Sequence, residues 1–337
     1  MSTVLVTGGA GYVGSHAVKA LAASGKDVVV YDDLSAGHAE AVDRLAGAFP
    51  SRKISLVRGD ILDTPRVTET LKTSGASAVM HFAARLLVAE SVRQPLQYYR
   101  ANVGGALSVL EAMAAAGVRH FVFSSTCATF GEPMAVPIDE THPQRPINAY
   151  GETKLAVERA LPHVERAFGI KSVALRYFNA AGADPDGLVG EDHQPEEHLI
   201  PNAIAAAQGG KRLTLFGDDY DTPDGTCIRD YIHVADLADA HIASLQRLEA
   251  GGASANFNLG TGTGMSVRQV VESVARVTGR PVPHTMGPRR PGDPARLVGA
   301  NGRARQELSW TPKLGELDTI VRTAWRWHER MPRGYSN

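Results

Sequence analysis

Cysteine is scarce in this 337-residue chain: Cys127 and Cys227 are the only two, too few for a disulfide framework. Cys127 reads as a packed thiol. Charge of one sign is also lacking. The 35 basic and 36 acidic residues leave a formal net charge of -1, which gives no footing for nucleic acid or a membrane surface. No uninterrupted apolar run approaches a membrane span. The N-terminal run Met1-Ser2-Thr3-Val4 has no basic region with a cleavage site, so export is not expected and the cytoplasm is the expected compartment. The 12 histidines show no metal-ligand spacing, so no metal is expected. Internal repeats and low-complexity tracts are absent.

What is present is the composition of a globular α/β protein, 43% hydrophobic and 21% charged. The length suits two domains or one large α/β unit with an elaborated end. Strand-like runs at Thr3–Thr7, Asp27–Asp32, Ile54–Gly59, Ala78–Phe82, Phe121–Ser125 and Val173–Tyr177 alternate with helical segments. That alternation predicts a doubly wound parallel sheet covered on both faces. Two longer helices are expected, over Ser91–Ala116 and Ala149–Phe168. Beyond about Gly182 the texture changes. Asp184–Glu197 and Gly217–Gly225 read as loops, and helices resume at His198–Ala207, Val234–Leu248, Val267–Thr278 and Glu316–Arg330.

Gly8, Gly11 and Gly14 follow the first strand and open a helix, with Tyr12 and Val13 between them. Glycines there let backbone approach a pyrophosphate, whose charge meets the helix N-terminus. The context of strand, turn and helix marks a Rossmann-like dinucleotide site. The second strand ends at Tyr31-Asp32-Asp33-Leu34. An acid at that end accepts the adenosine ribose hydroxyls and repels a 2′-phosphate, which favours NAD over NADP. Asp60-Ile61 ends the third strand, where the adenine edge lies. His81-Phe82-Ala83-Ala84 ends the fourth, with small residues that admit the cofactor to the backbone.

Tyr150-Gly-Glu-Thr-Lys154 lies downstream of Ser124-Ser125-Thr126. On a helix, Tyr150 and Lys154 share one face. An ammonium beside a phenol favours the phenolate, which exchanges a proton with a substrate hydroxyl near neutral pH. The same spacing arises on ordinary helix surfaces. Its meaning comes from the company it keeps: an NAD fingerprint upstream, and strand ends at Ser124–Thr126 and Arg176-Tyr177-Phe178-Asn179 on either side.

With these motifs in order, the chain resembles the extended short-chain dehydrogenase/reductase family, in its nucleotide-sugar 4-epimerase branch, over nearly its full length. Asp224-Gly225-Thr226, Arg229-Asp230-Tyr231-Ile232-His233-Val234, Asn256–Gly260 and Arg289–Asp293 carry the resemblance most specifically. It implies residues 1–182 as an NAD-binding domain, with some later segments returning to it, and 183–337 as mainly a smaller α/β domain for a UDP-sugar. It implies reversible interconversion of UDP-glucose and UDP-galactose at C4, through a transient 4-keto sugar and tightly bound NAD. Tyr150 would take the 4-hydroxyl proton, Thr126 would hydrogen-bond that oxygen, and Lys154 would hold the nicotinamide ribose. Cofactor contacts would come from Gly8, Gly11, Tyr12, Val13, Gly14, Asp32, Asp33, Leu34, Asp60, Ile61, Phe82, Ala83, Ala84, Ser124, Tyr150, Lys154 and Phe178.

For the UDP-sugar, the resemblance implies Thr126, Tyr150, Asn179, Leu199, Thr214, Leu215, Phe216, Arg229, Arg290, Asp293 and Leu297. Guanidinium forks at Arg229 and Arg290 suit a pyrophosphate, and Asp293 a uridine ribose. Leu297 stands where pocket size selects the sugar. A homodimer through the two long helices is also implied. Some positions depart from the family pattern. Leu86 stands where a cofactor-binding Lys is common, with Arg85 beside it. Ala101 replaces an Asn, and His198 stands where Asn is frequent. A 4-epimerase of another UDP-sugar (N-acetylhexosamine, uronate or pentose) stays open, as does a non-catalytic NAD sensor. A dehydratase needs an Asp-Glu pair after Thr126, where this chain has Cys127-Ala128.

Overall fold

A computed structural model describes residues 2–290 and 293–335. Met1, Pro291, Gly292, Ser336 and Asn337 lie outside the described residues, so the Arg289–Asp293 motif is described only in part. Six strands in chain order form the frame: β1 (Thr3–Thr7), β2 (Asp27–Asp32), β3 (Ile54–Arg58), β4 (Ala76–His81), β5 (His120–Thr126) and β6 (Lys171–Tyr177). A seventh strand, Ala255–Leu259, joins beside β6. The spatial order is Ala255–Leu259, β6, β5, β4, β1, β2, β3, and every pairing is parallel. Parallel strands buried on both faces read as continuous apolar runs, as in Val28-Val29-Val30. Val4 and Val6 of β1 enter the core on one face and Leu5 the core on the other. The strand order reverses between β1 and β4, so a crevice opens outside their C-terminal ends.

Local signals explain where elements begin and end. The helix Tyr12–Ala23 starts straight out of the glycine turn. Asn148 caps Ala149–Phe168 by accepting from the Gly151 N–H at 2.9 Å, and Gly169 closes it in the left-handed conformation. Ser266 and Gln269 form a reciprocal capping box on Val267–Thr278.

Two sequence expectations are corrected. The helix expected over Ser91–Ala116 is four pieces: Val88–Arg93, Pro95–Tyr98, a π-helical turn at Tyr99–Gly104, and Gly105–Ala116. Pro95 lacks the N–H that would continue the first piece, so it opens a new helix instead. The strand Ala255–Leu259 was not expected, because Asn256 and Asn258 interrupt its apolar pattern. It returns the chain to the main sheet after the excursion that follows β6. The helix Val234–Glu249 packs back on the same sheet, through Leu237, Ala240 and Leu245.

The remaining part has its own apolar cluster, built on Ile204, Val271, Val274, Val321 and Trp325. Its strands are short. Leu213–Phe216 pairs with His284–Gly287, and Ile228–Arg229 pairs with Met265–Ser266 and with Arg296–Leu297.

Candidate active site

At the β1 turn, Gly8 has φ +71°, and a Cβ there would sit 2.5 Å from the Ala83 backbone nitrogen. A Cβ on Gly14 would sit 2.1 Å from the Gly8 carbonyl oxygen. Neither position holds a side chain, so the loop is bare backbone at the mouth of the crevice. Phe82 and Ala83 donate their N–H groups to the Thr7 carbonyl at 2.9 and 3.1 Å, which locks the β4 end beside the loop. Ala84 follows in the same turn, and Val13 and Gly14 lie in the first turn of the helix. The Tyr12 hydroxyl donates to the Gly182 carbonyl at 2.6 Å, tying this helix to the segment beyond β6.

At the β2 end, Asp32 Oδ2 accepts from the Ala10 N–H at 3.0 Å and Oδ1 from the Leu34 N–H at 2.9 Å. Burial pushes this carboxyl up and both N–H groups oppose the shift. A carboxylate has about four acceptor directions, so capacity remains for two ribose hydroxyls. Leu34 holds φ +63°, uncommon for a residue with a side chain. Asp33 is exposed and accepts from the Ser35 N–H at 2.8 Å. Asp60 accepts from the Leu62 N–H at 2.9 Å, and the Ile61 carbonyl accepts from Ser108 Oγ at 2.6 Å. Bare turn, helix N-terminus and prepared carboxylate together fit an NAD-type dinucleotide.

Thr126, at the C-terminal end of β5, meets the helix Ala149–Phe168 there. The Thr126 hydroxyl accepts from the Ala128 N–H at 3.1 Å and is near enough to the Tyr150 phenol to lower it. Lys154 is almost fully buried. Its Nζ donates to the Ser124 carbonyl at 2.8 Å and stands 5.0 Å from the Phe123 ring centre. Burial pushes the lysine down to about 7, with Glu158 opposing. Burial raises the Tyr150 phenol, the Tyr177 phenol adds to this, and the Thr126 hydroxyl opposes it. Burial outweighs any lowering by Lys154, so in the protein alone the phenol is raised. Cys127 is a packed thiol, pushed up to about 12 by burial.

Phe178, Cys127, Phe130 and Ile138 form a small buried cluster, with Leu297 against it. The Asn179 side chain donates to the Asp230 carbonyl at 3.0 Å. Arg229 donates to Asp293 Oδ1 at 2.9 Å and to the Ile228 and Pro294 carbonyls at 2.8 Å. The pair expected to read phosphate and ribose is thus closed on itself. The Arg290 guanidinium lies over the Phe216 ring at 4.1 Å. Thr214 and Leu215 precede Phe216 on its strand, and Leu199 opens the helix Leu199–Ala207. Arg85, beside the position of the missing Lys, is exposed and pairs with Glu90 at 3.3 Å. Its backbone is held by Asn102, whose Oδ1 accepts from the Arg85 N–H at 2.8 Å and whose Nδ2 donates to Thr153 Oγ1 at 3.0 Å.

Sequence reading missed three groups. Glu158, one turn beyond Lys154, pairs with Arg176 of β6 at 2.6 Å in the buried interior. The spacing of Tyr150, Lys154 and Glu158, i, i+4 and i+8, was the available signal. The Tyr177 hydroxyl lies 2.5 Å from Ser124 Oγ at the sheet end. The third group is a His–Glu cluster that the histidine spacing did not suggest. Glu191, His193, Glu196 and His198 place four ligand atoms within 4.8 Å of one another, in the segment expected to be a plain loop.

A bare turn that fits a dinucleotide, with Thr126, Tyr150 and Lys154 at the neighbouring strand end, is the arrangement of an NAD-dependent oxidoreductase-type site. The profile of the NAD dependent epimerase/dehydratase family matches residues 4–260, and the chain belongs to that family. It is 48% identical over 336 residues to a UDP-glucose 4-epimerase of Lacticaseibacillus casei, covering 99% of each chain. The fold matches the crystal structure of UDP-glucose 4-epimerase from Brucella ovis in complex with NAD. There the TM-score is 0.92 at 50% identity, over 97% of this chain and 98% of that one. The Bifidobacterium longum UDP-glucose 4-epimerase in complex with NAD+ and UDP matches with a TM-score of 0.93 at 36% identity, over 99% of this chain and all of that one.

Proposed function

We propose that this chain interconverts UDP-glucose and UDP-galactose by inverting sugar C4 around a tightly held NAD. The observation that carries the reading is that Thr126 and Lys154, the latter bonded to the Ser124 carbonyl, stand at the C-terminal end of β5 with Tyr150 one helical turn from Lys154. The two acids of an elimination site are missing at Cys127-Ala128. NAD, when bound, supplies a cationic ring that favours the Tyr150 phenolate, and accepts and returns the C4 hydride. The Tyr150 oxygen takes the 4-hydroxyl proton and later gives it back to the same oxygen. Thr126 Oγ1 orients that oxygen. Lys154, fixed by the Ser124 carbonyl, donates to the nicotinamide ribose and adds positive charge near the phenol. Gly8, Gly11, Tyr12, Val13, Gly14, Asp32, Asp33, Leu34, Asp60, Ile61, Phe82, Ala83, Ala84, Ser124 and Phe178 hold the cofactor.

Arg229 and Arg290 take the UDP pyrophosphate, and Asp293 the uridine ribose. Asn179, Leu199, Thr214, Leu215 and Phe216 frame the nucleotide. Leu297, against Phe178, sets the room left for the sugar. The nucleotide is gripped by charge while the sugar is gripped loosely, which a turning intermediate requires. We place the lobe division near 182/183, with Val234–Glu249 and Ala255–Leu259 returning to the first lobe. Val92 and Leu96 are 66% and 83% exposed, and this apolar face at the start of Ser91–Ala116 favours a homodimer through that segment and the helix Ala149–Phe168. Sedimentation at monomer mass across micromolar concentrations would exclude it. Buried free thiols suit the cytoplasm, where we place the enzyme. No described helix is long and apolar enough to cross a membrane.

The test is incubation with UDP-galactose without added NAD, followed by separation of the sugar nucleotides. UDP-glucose should form, and Tyr150→Phe should remove most turnover while bound NAD stays. Wild-type protein that carries NAD yet makes no UDP-glucose overturns the reading. Comparable efficiency on UDP-N-acetylgalactosamine overturns the sugar pair alone.

A further inference from the structure

The segment 184–198 leaves the first lobe after Gly182 and arrives at the helix Leu199–Ala207, and it carries two acids and two histidines facing one point. His198 Nδ1 lies 2.8 Å from Glu191 Oε1 and 2.9 Å from Glu196 Oε1. His193 Nδ1 lies 3.2 Å from Glu191 Oε1 and 3.8 Å from Glu196 Oε2. Each imidazole nitrogen thus faces both carboxylates. Four ligands at the usual 2.0–2.2 Å from a tetrahedral Zn2+ stand about 3.3 Å apart, edge by edge. These four separations, with a different Glu196 oxygen facing each histidine, run from 2.8 to 3.8 Å around that value, and one atom from each residue lies within 4.8 Å of the others. No Lys or Arg ion pair reaches either carboxylate among the described residues. Burial lowers both imidazoles, but Glu191 and Glu196 outweigh it and raise His193 to about 9 and His198 to about 10. A divalent cation therefore displaces two protons and is balanced by the two carboxylates.

The ligands sit on backbone held from outside. The Trp327 indole N–H donates to the Glu191 carbonyl at 2.9 Å, and the Tyr335 hydroxyl accepts from the Gly190 N–H at 3.0 Å. Asn202 Nδ2 donates to the Glu196 and His198 carbonyls at 3.2 and 2.8 Å. Glu191 is buried and the other three are partly buried. The cluster also touches the cofactor helix, since the Tyr12 ring meets His193 edge to face at 6.1 Å.

We infer that Glu191, His193, Glu196 and His198 form a structural site for a divalent transition metal of the Zn2+ class. Imidazole with carboxylate favours such ions over Mg2+ or Ca2+, which prefer all-oxygen shells. The four protein ligands close the shell, so the ion fixes the loop and takes no part in the reaction. By pinning His198, it sets the start of the helix that presents Leu199, and through His193 it fastens the loop against Tyr12. The inference stands on this geometry alone and is independent of which sugar the enzyme turns over.

The test uses the full chain without a histidine tag, stripped by chelator and loaded with Zn2+ or Co2+. Elemental analysis should give about one metal per chain, and the Co2+ form should show the visible absorption of a four-coordinate centre. His193→Ala with His198→Ala should weaken Zn2+ binding by about 100-fold or more. Glu196→Gln, which keeps the size of the side chain, should weaken it in the same direction if the double variant folds poorly. Thermal stability should rise with Zn2+ in the wild type and not in the variants. No stoichiometric metal at saturating Zn2+, or equal binding by wild type and variants, overturns the site and leaves a closed set of His–Glu ion pairs in its place.

Discussion

Replacing Glu158 with Ala should cost this protein a large fraction of its stability. The carboxylate is 2% exposed and the Arg176 guanidinium 4%. Its oxygens accept from Arg176 Nε at 3.0 and 3.1 Å, from Arg176 Nη2 at 2.6 Å, from Ser125 Oγ at 2.5 Å and from Gln144 Nε2 at 3.0 Å. Arg176 also lies over the Phe130 ring at 5.3 Å, so it has no route to water. Removing only the acid leaves a buried cation unpaired, which costs about 3–5 kcal/mol. A domain of ordinary stability has about 5–15 kcal/mol in total. Changing both residues to Met removes both desolvation costs, so the double variant should recover most of the loss. Urea titrations at matched NAD saturation read this as a shift in midpoint at constant slope, because bound ligand alone moves the midpoint. Glu158 also supports the Lys154 ammonium, so Glu158→Ala should lower the Lys154 pKa further and weaken NAD retention at pH 7. A single variant that loses under about 1 kcal/mol, or a double variant worse than the single, refutes the reasoning.

Gly14→Ala should give a folded but NAD-free protein, measured by far-UV dichroism and cofactor release, because its Cβ would overlap the Gly8 carbonyl at 2.1 Å. Asp32→Asn should lower NAD retention and narrow the preference over NADP, since the amide repels a 2′-phosphate less; retained discrimination in competitive binding would count against the ribose role. If Arg229 leaves Asp293 for the pyrophosphate as proposed, Arg229→Ala should raise the KM for the UDP-sugar by roughly 10- to 100-fold with kcat less affected, the loss of one or two charge-assisted hydrogen bonds to phosphate. Acid should destabilise the fold through four buried histidines. Burial holds His16, His233 and His241 down to about 4 and His81 to about 3, below the usual 6.5. Between those values the unfolded chain binds more protons than the folded one. The contribution of these four is therefore full above about pH 6.5 and is lost as pH falls, by up to about 1.4 kcal/mol per unit for each group. Equal urea midpoints at pH 7 and pH 5 would contradict this.

The frame of the fold was legible because its signals are local. Val28-Val29-Val30 needs only β-branched residues between polar ends, and Gly8–Gly14 announces a turn into a helix. Tyr150 and Lys154 were legible as a spacing and gained meaning from their order in the chain. The Glu158–Arg176 pair was not, since a buried ion pair between a helix and a strand looks in sequence like two surface charges. The strand Ala255–Leu259 was hidden by its asparagines; Asn258 is buried there and bonds the Ile138 carbonyl at 3.0 Å, a long-range partner no local pattern reveals. The His–Glu cluster escaped because its residues follow neither helical nor strand spacing and meet only when an irregular loop folds back. Arg229 and Asp293 are 64 residues apart, and their mutual pairing is visible only in three dimensions.

The return of Ala255–Leu259 to β6 has a consequence for how this chain can be cut. The covalent path leaves the main sheet after β6 and comes back before it is finished. A fragment ending near residue 182 would expose the hydrogen-bonding edge of β6 along Val173–Tyr177, where the last strand now seals it. Such an edge invites pairing with another chain. The first lobe is thus not a detachable module, and truncation should yield aggregates instead of a soluble cofactor-binding half.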